Sequence, residues 1–170
     1  SAPSIGESDN IYFSGEIESG VRLVADVTVN DIIFSYEDSA TGVNSGSNLI
    51  TIDLNGHNLI CNSFKFNNAS LPANVRIIDS SGTPGTVTVK TTFSYSAGDS
   101  NTAHTLSIED GVDFTVEGGY SADSNGALKI TSGAGSDIVF SGTTVNDGNL
   151  TINDIVMDAA GGSNIALWTG

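Results

Sequence analysis

The most closely spaced group of carboxylates in this sequence is formed by Glu109, Asp110 and Asp113. Carboxylate oxygens are ligands that Ca²⁺ prefers, and the ion takes about six to eight of them. The segment lacks the ligand spacing of an EF-hand loop and the nonapeptide repeat of calcium-binding β-rolls. These three residues are therefore a candidate Ca²⁺ site, with solvated turn carboxylates as the alternative, and no other cofactor is expected.

Aromatic side chains are a second group with binding chemistry, because an exposed ring offers a flat apolar surface for a sugar. The candidate ligand-binding residues are Tyr95, Tyr120 and Trp168, and Tyr120 stands between glycine and serine. Aromatic residues make up only 7% of the chain, which is too few for a dense platform. Packing in the core or in turns is the alternative interpretation for most of them.

Residues suited to catalysis are sparse or unspecific. His57 and His104 are the two histidines, and neither has a second histidine nearby in sequence. We interpret both as structural or solvent-facing, with His104 in a loop. The single cysteine, Cys61, follows Leu59-Ile60 and is predicted to be buried. Acidic residues are so numerous that some pair would approach in any fold, so the sequence does not single out a glycosidase-type pair. We therefore expect no enzymatic activity.

The charge of the chain excludes several classes of partner. Twenty Asp and Glu residues against five Lys and Arg give a net charge of −15. This field repels nucleic-acid phosphates and anionic lipid surfaces.

No apolar segment reaches the roughly 18 residues that span a bilayer, so membrane insertion is not expected. Scarce Lys with abundant Ser, Thr and Asn favours a secreted or cell-surface location.

Short alternating segments dominate the elements that must position these residues. The chain has 20 Gly and 3 Pro and no helical apolar period, which predicts an all-β fold. Six segments carry an apolar pair followed by a turn signal, and the second members are Val29, Ile52, Ile77, Ile108, Ile130 and Ile152. Counting along the chain from each of these to the next gives 23, 25, 31, 22 and 22. One coil of a parallel β-helix, with three short strands and their turns, has about this length.

The spacing therefore predicts a parallel β-helix of about six coils. Aliphatic residues of successive coils should stack about 4.8 Å apart. The predicted columns are Leu106, Leu128 and Leu150, and beside them Ile108, Ile130 and Ile152. Further strands are expected at 87–89, 114–116 and 138–140, and a third side at 64–66, 93–95 and Val145. The alternative is an antiparallel β-sandwich, which also has short alternating strands but no reason to repeat at so regular an interval.

Three runs carry a resemblance to a known family: VRLVADVTV (21–29), ITIDLNGHNL (50–59) and VRIIDSSGTPGTVTV (75–89). Together they resemble the opening coils of pectate-lyase-like right-handed parallel β-helix modules in bacterial secreted and cell-surface proteins. The resemblance covers about 70 of the 170 residues. It implies a module of a larger surface protein, adhesin-like or associated with carbohydrate. Lyases of this fold use Ca²⁺ and an Arg or Lys base, but a chain of this charge would repel their polyuronate substrates.

We expect one β-helix domain over 1–170, with 1–20 as an N-terminal cap and 21–170 as coils, forming the N-terminal part of a longer protein. The expected function is a non-catalytic surface module that presents a binding face to cell-surface glycans or to host or matrix proteins. The first alternative is a carbohydrate-binding or polysaccharide-degrading protein. The second is a fibre subunit that associates end to end, because the apolar strand at 165–168 follows the last coil with no capping segment.

Overall fold

The computed structural model describes residues 5–13, 19–34, 49–67, 73–95, 103–122, 127–141, 155–159 and 164–167. These ranges contain strands and turns and no helix. The strands are β1 (Asn10–Phe13), β2 (Ser19–Arg22), β3 (Val27–Phe34), β4 (Leu49–Asp53), β5 (Leu59–Phe66), β6 (Asn74–Ile78), β7 (Thr86–Tyr95), β8 (Ala103–Ile108), β9 (Asp113–Val116), β10 (Gly119–Ala122), β11 (Ala127–Ser132), β12 (Asp137–Phe140), β13 (Ile155–Ala159) and β14 (Asn164–Leu167).

Strand pairing identifies the architecture. Every pair in the described part of the chain is parallel. One sheet has the order β1-β3-β5-β7-β9-β12-β14, with β10 beside β7, and the other has the order β13-β11-β8-β6-β4-β2. Apart from β9 and β10, which both belong to the first sheet, successive strands alternate between the sheets. Strands of one sheet therefore supply the crossovers that parallel pairs in the other require. The fold is a parallel β-solenoid, and the antiparallel sandwich is wrong.

The solenoid has about three turns, since between β4 and β11 the chain returns to the second sheet three times. Six coils would require further complete turns before β4 and after β11, so the number of six stays a prediction. In residues 1–20, β1 extends the first sheet by pairing with β3. The capping role of this segment stays a prediction too. Leu150, Ile152 and Val145 lie outside the described residues.

The interior is filled by alternate residues of each strand, as the sequence pattern predicts. Ile50 and Ile52 of β4 are buried, and so are the matching residues of β6, Val75 and Ile77. Between them Thr51 faces outward and is half-buried. In every coil the inward residues of a strand lie opposite inward residues of the neighbouring strand. One continuous aliphatic and aromatic core therefore runs through the described coils.

The predicted register of β11 on β8 is wrong by two positions. Ile130 lies opposite Leu106, Leu128 opposite His104, and Ser132 opposite Ile108. Paired positions of the two coils are therefore offset by 24 in the sequence, where equal spacing of the apolar pairs indicated 22. A slip by two keeps every side chain on its own face, so periodicity alone cannot distinguish the two registers. The spacing also treated Val29 as the equivalent of Ile52 one coil earlier. That prediction is wrong, because Val29 lies in the first sheet opposite Cys61 of β5.

The other predicted strands align as expected. Phe114 lies opposite both Val87 and Ile138, which confirms the alignment of the strands at 87–89, 114–116 and 138–140. Phe64 lies opposite Phe93, and their rings stack with centroids 5.8 Å apart. The segments 64–66 and 93–95, predicted as a third side, are continuous with β5 and β7, which turn a corner in mid-strand.

Candidate binding groove

The corner in the middle of β7 is wider than the corner in β5. In β5 two residues separate the inward-facing Cys61 and Phe64, whereas in β7 the three residues 90–92 separate Val89 and Phe93. The register between the two strands shifts at this point. An extra residue of this kind is a β-bulge, which bends the strand and redirects side chains, and bulges are common beside functional sites.

The next coil repeats the wide corner. Tyr120 of β10 lies opposite Phe93, and three residues again separate it from the last inward residue of β9, Val116. The two wide corners enclose a groove of about 310 Å³. Its lining consists of Lys90, Thr91, Thr92, Gly118, Gly119, Tyr120 and Ser121. We refer to these seven residues as the corner groove.

Gly118 allows the two corners to approach each other. A Cβ atom there would overlap the carbonyl oxygen and carbon of Thr91, which are backbone atoms of the neighbouring coil. Just before it, the N–H of Glu117 donates to the carbonyl of Val89 at 2.8 Å and holds the coils in register. One wall of the groove is therefore bare backbone, and a larger residue at position 118 would force the coils apart.

An ion pair stands beside the groove. Lys90 Nζ lies 2.8 Å from Oε1 and 2.9 Å from Oε2 of Glu117. Both side chains are about half exposed, at 42% and 45%, so the pair contributes little to stability. Its effect on the groove is electrostatic, because the carboxylate of Glu117 neutralises the charge of Lys90, which carries the only ammonium group in the lining.

The structure distributes the predicted aromatic residues over different environments. Tyr120 lines the groove and is half-buried, with its ring stacked on Phe93 at 6.1 Å and edge-on to Phe140 at 6.0 Å. Tyr95 is 1% exposed and belongs to the core, so it lies away from the surface that sugar stacking requires. Trp168 lies outside the described residues.

Two members of the predicted Ca²⁺ group hold neighbouring coils together. Glu109 Oε1 accepts a hydrogen bond from Nε of Arg76 at 2.7 Å, which links the residue that follows β8 to the middle of β6. Asp110 Oδ1 accepts the backbone N–H of Ala134 from the following coil at 2.9 Å. The two carboxylates thus serve different structural partners on opposite sides of their own coil.

The third member, Asp113, begins β9 and accepts the backbone N–H of Asp137 at 3.0 Å. Among the described residues, no three His, Cys, Asp or Glu side chains converge as a metal site would require. Occupation of this turn by Ca²⁺ stays a prediction, and it would have to compete with the hydrogen bonds already made.

A carboxylate also organises the turn between β6 and β7. Asp79 accepts the backbone N–H groups of Gly56, Ser81 and Gly85 at 2.8 Å each, and the Ser81 hydroxyl at 2.6 Å. Partial burial raises the pKa of Asp79, but these donors outweigh it and hold the pKa at about 2. Asp53, one coil earlier, has a lowered pKa for the same reason, with Ser80 as its main donor.

His104 and Cys61 are both buried in the core. His104 was predicted to lie in a loop, which is wrong, since it is fully buried in β8. Its Nδ1 accepts the backbone N–H of Ala73 at 3.1 Å. Cys61 is buried as predicted, and burial, with a smaller effect from Asp31, raises its pKa to about 12. A thiol with this pKa is a poor nucleophile at neutral pH.

Comparison with protein-family models, curated proteins and solved structures finds no match to this chain. No family match therefore supports the resemblance to pectate-lyase-like modules, while the solenoid itself agrees with that architecture. Across the ranges that the structure describes, there is no helix with the length and apolar character of a membrane span.

Sequence reasoning found Tyr120 but missed Lys90, Thr91 and Gly118. A signal for them exists in the spacing between the apolar halves of each long strand. The step from the last inward residue before the corner to the next phenylalanine is three in β5, from Cys61 to Phe64, and four in β7, from Val89 to Phe93. Aligning the coils on these two residues, instead of on the apolar pairs, would have located the extra corner residue.

Proposed function

We propose that this chain is a non-catalytic, secreted or cell-surface β-solenoid module, adhesin-like or a scaffold, that presents a binding face to glycans or to host or matrix proteins. The observation that carries the proposal is the use made of its carboxylates. Asp79, Asp110 and Asp113 each accept backbone N–H groups, and each binds at least one from a neighbouring coil. These carboxylates, which could otherwise take part in catalysis or metal binding, are hydrogen-bonded between neighbouring coils. Such bonding suits a rigid support that presents a binding surface.

The proposal extends to the finer description of the fold: a right-handed helix of six coils with an N-terminal cap, similar to pectate-lyase-like modules. Parallel β crossovers are right-handed in about 98% of cases, which supports the handedness. The six strands of the second sheet support the number of coils.

A combined binding and turnover experiment tests this function. The full chain is applied to arrays of glycans and extracellular-matrix proteins, with Ca²⁺ and with a chelator. Every bound polysaccharide is then incubated with the protein and analysed for shortened products. We expect specific binding without depolymerisation. Depolymerisation of any polysaccharide would overturn the non-catalytic assignment, and absence of binding to every array component would overturn the binding assignment.

Two alternatives have specific observations in their favour. The corner groove, with its hydroxyl-bearing lining, favours a carbohydrate-binding protein, and the turnover arm above distinguishes binding from degradation. The two sheets end in β13 and β14 in the described part of the chain, which is the arrangement an end-to-end fibre subunit would use. Sedimentation velocity over a wide range of protein concentration would show growing oligomers in that case.

A further inference from the structure

We propose that the corner groove binds one or two units of a neutral glycan. This inference rests on the proposed surface-module function and names the part of the surface that binds and the chemical class it selects. Three properties of the groove carry it: the hydrogen-bonding groups of its lining, its size and walls, and its charge.

The lining is rich in groups that pair with sugar hydroxyls. Thr91, Thr92 and Ser121 each offer a hydroxyl that can donate and accept a hydrogen bond. Lys90 offers donors and the adjacent Glu117 offers acceptors, so the ion pair can engage two neighbouring hydroxyls of one ring at once. A sugar has the matching pattern, since every hydroxyl is both donor and acceptor.

The size and the walls of the groove fit a small segment of glycan. Its volume of about 310 Å³ is at the lower end of the range of about 300–1,000 Å³ for ligand sites. Gly118 keeps one wall free of side chains, and Tyr120, whose ring packs against Phe93 and Phe140, closes the groove on its core side. Both corners are continuous with strands of the buried core, so the site is formed before the ligand arrives.

The charge of the groove selects against acidic sugars. The chain carries a net charge of −15, and the ammonium of Lys90 is already compensated by Glu117 at 2.8 Å. A uronate or sulfate group would therefore meet a negative field with no free cation in the lining to offset it. A neutral sugar carries no such penalty.

Titration of the full chain tests the inference. Neutral disaccharides, uronic-acid disaccharides and sulfated disaccharides are added in parallel, and binding is followed by calorimetry and by amide chemical shifts. We expect binding of at least one neutral disaccharide, with shifts concentrated at 90–92 and 117–121. Thr91→Tyr, which fills the groove from an exposed position, should lower the affinity at least about tenfold. Thr83→Tyr, at an exposed position in the turn before β7, is the matched control and should change nothing.

Glu117→Gln tests the selectivity. It leaves Lys90 uncompensated, so the ratio of affinities should shift towards the uronic-acid and sulfated disaccharides by about fivefold or more at low salt. Circular dichroism confirms that each variant keeps its β structure. A structural role alone would lower all affinities together and leave this ratio unchanged.

The outcomes separate this inference from the function on which it rests. Binding of the neutral disaccharide that survives Thr91→Tyr would refute the groove and leave the binding module standing. Tighter binding of acidic than of neutral disaccharides by the natural sequence would refute the ligand class. No binding of any disaccharide at the groove would refute the inference, and only the array experiment above bears on the module itself.

Discussion

Replacing Gly118 by alanine should disrupt the contact between the two wide corners. The new methyl group would occupy space held by the carbonyl oxygen and carbon of Thr91. These are backbone atoms in a paired strand, so they cannot rotate away as the end of a flexible side chain could. Relief requires the segment that follows β9 to move outward from β7.

The size of the effect follows from two contributions. Forcing a methyl group into occupied space costs about 1–3 kcal/mol when the backbone must shift. The same movement stretches the hydrogen bond from Glu117 N–H to the carbonyl of Val89, now 2.8 Å, and losing it costs about 1 kcal/mol. We expect Gly118→Ala to lower the free energy of unfolding by about 3 kcal/mol. At roughly 2–4 °C per kcal/mol for a chain of this length, Tm should fall by about 6–12 °C.

Urea and thermal unfolding followed by circular dichroism measure this change. Gly20→Ala is the matched control, because its Cβ would meet the carbonyl oxygen of Thr51 at an ordinary 3.4 Å. The control should stay within about 0.5 kcal/mol of the natural sequence. Equal stability of the two variants would refute the close approach of the corners and with it the shape of the groove.

Three further changes test the interior and the turns. Asp79 has a pKa of about 2 in the fold against 3.8 unperturbed, so its stabilisation is present above pH 3.8 and is lost as the pH falls through 2. Asp79→Asn should cost about 1.5 kcal/mol at pH 7, after allowance for solvent screening, and flatten the acid limb of a stability profile measured by urea unfolding. Cys61, with its pKa raised to about 12, should not react with a thiol reagent at pH 8 until urea unfolds the chain; prompt reaction in the fold would contradict its burial. His104→Phe should cost about 2 kcal/mol in urea unfolding, because the buried N–H of Ala73 loses its acceptor; an unchanged midpoint would show that this bond is unimportant.

The interval between the apolar pairs was enough to predict the solenoid, and alternation was enough to predict the inward face of its strands. Ile50, Ile52, Val75 and Ile77 are buried where the pattern indicated, because side-chain direction in a strand depends only on parity. Register needs more information. Ile130 pairs with Leu106 instead of Ile108, and both arrangements place two aliphatic residues in the core.

The candidate site depended on features that composition does not report. Tyr95 and Tyr120 are both tyrosines beside small or polar residues, yet only Tyr120 lines the groove. It is the first inward residue after its corner, opposite Phe93, whereas Tyr95 lies two residues beyond Phe93 and is buried. The carboxylates were predicted from their number and proximity, but their orientation follows from unpaired N–H groups in the next coil. Asp110 points to Ala134 because that turn needs an acceptor.

The parallel stack, on which the register, the corner and the groove all depend, has a direct test in one distance. Thr28, Ile60, Thr88, Thr115 and Val139 form an outward column in which each residue lies opposite the next. Four steps of about 4.8 Å place the first and the last about 19 Å apart. Cysteine substitutions at these two positions can carry spin labels, while buried Cys61 stays unlabelled. Double electron–electron resonance should give one narrow distribution centred at about 20 Å, and a broad distribution or one centred beyond about 35 Å would contradict the stack.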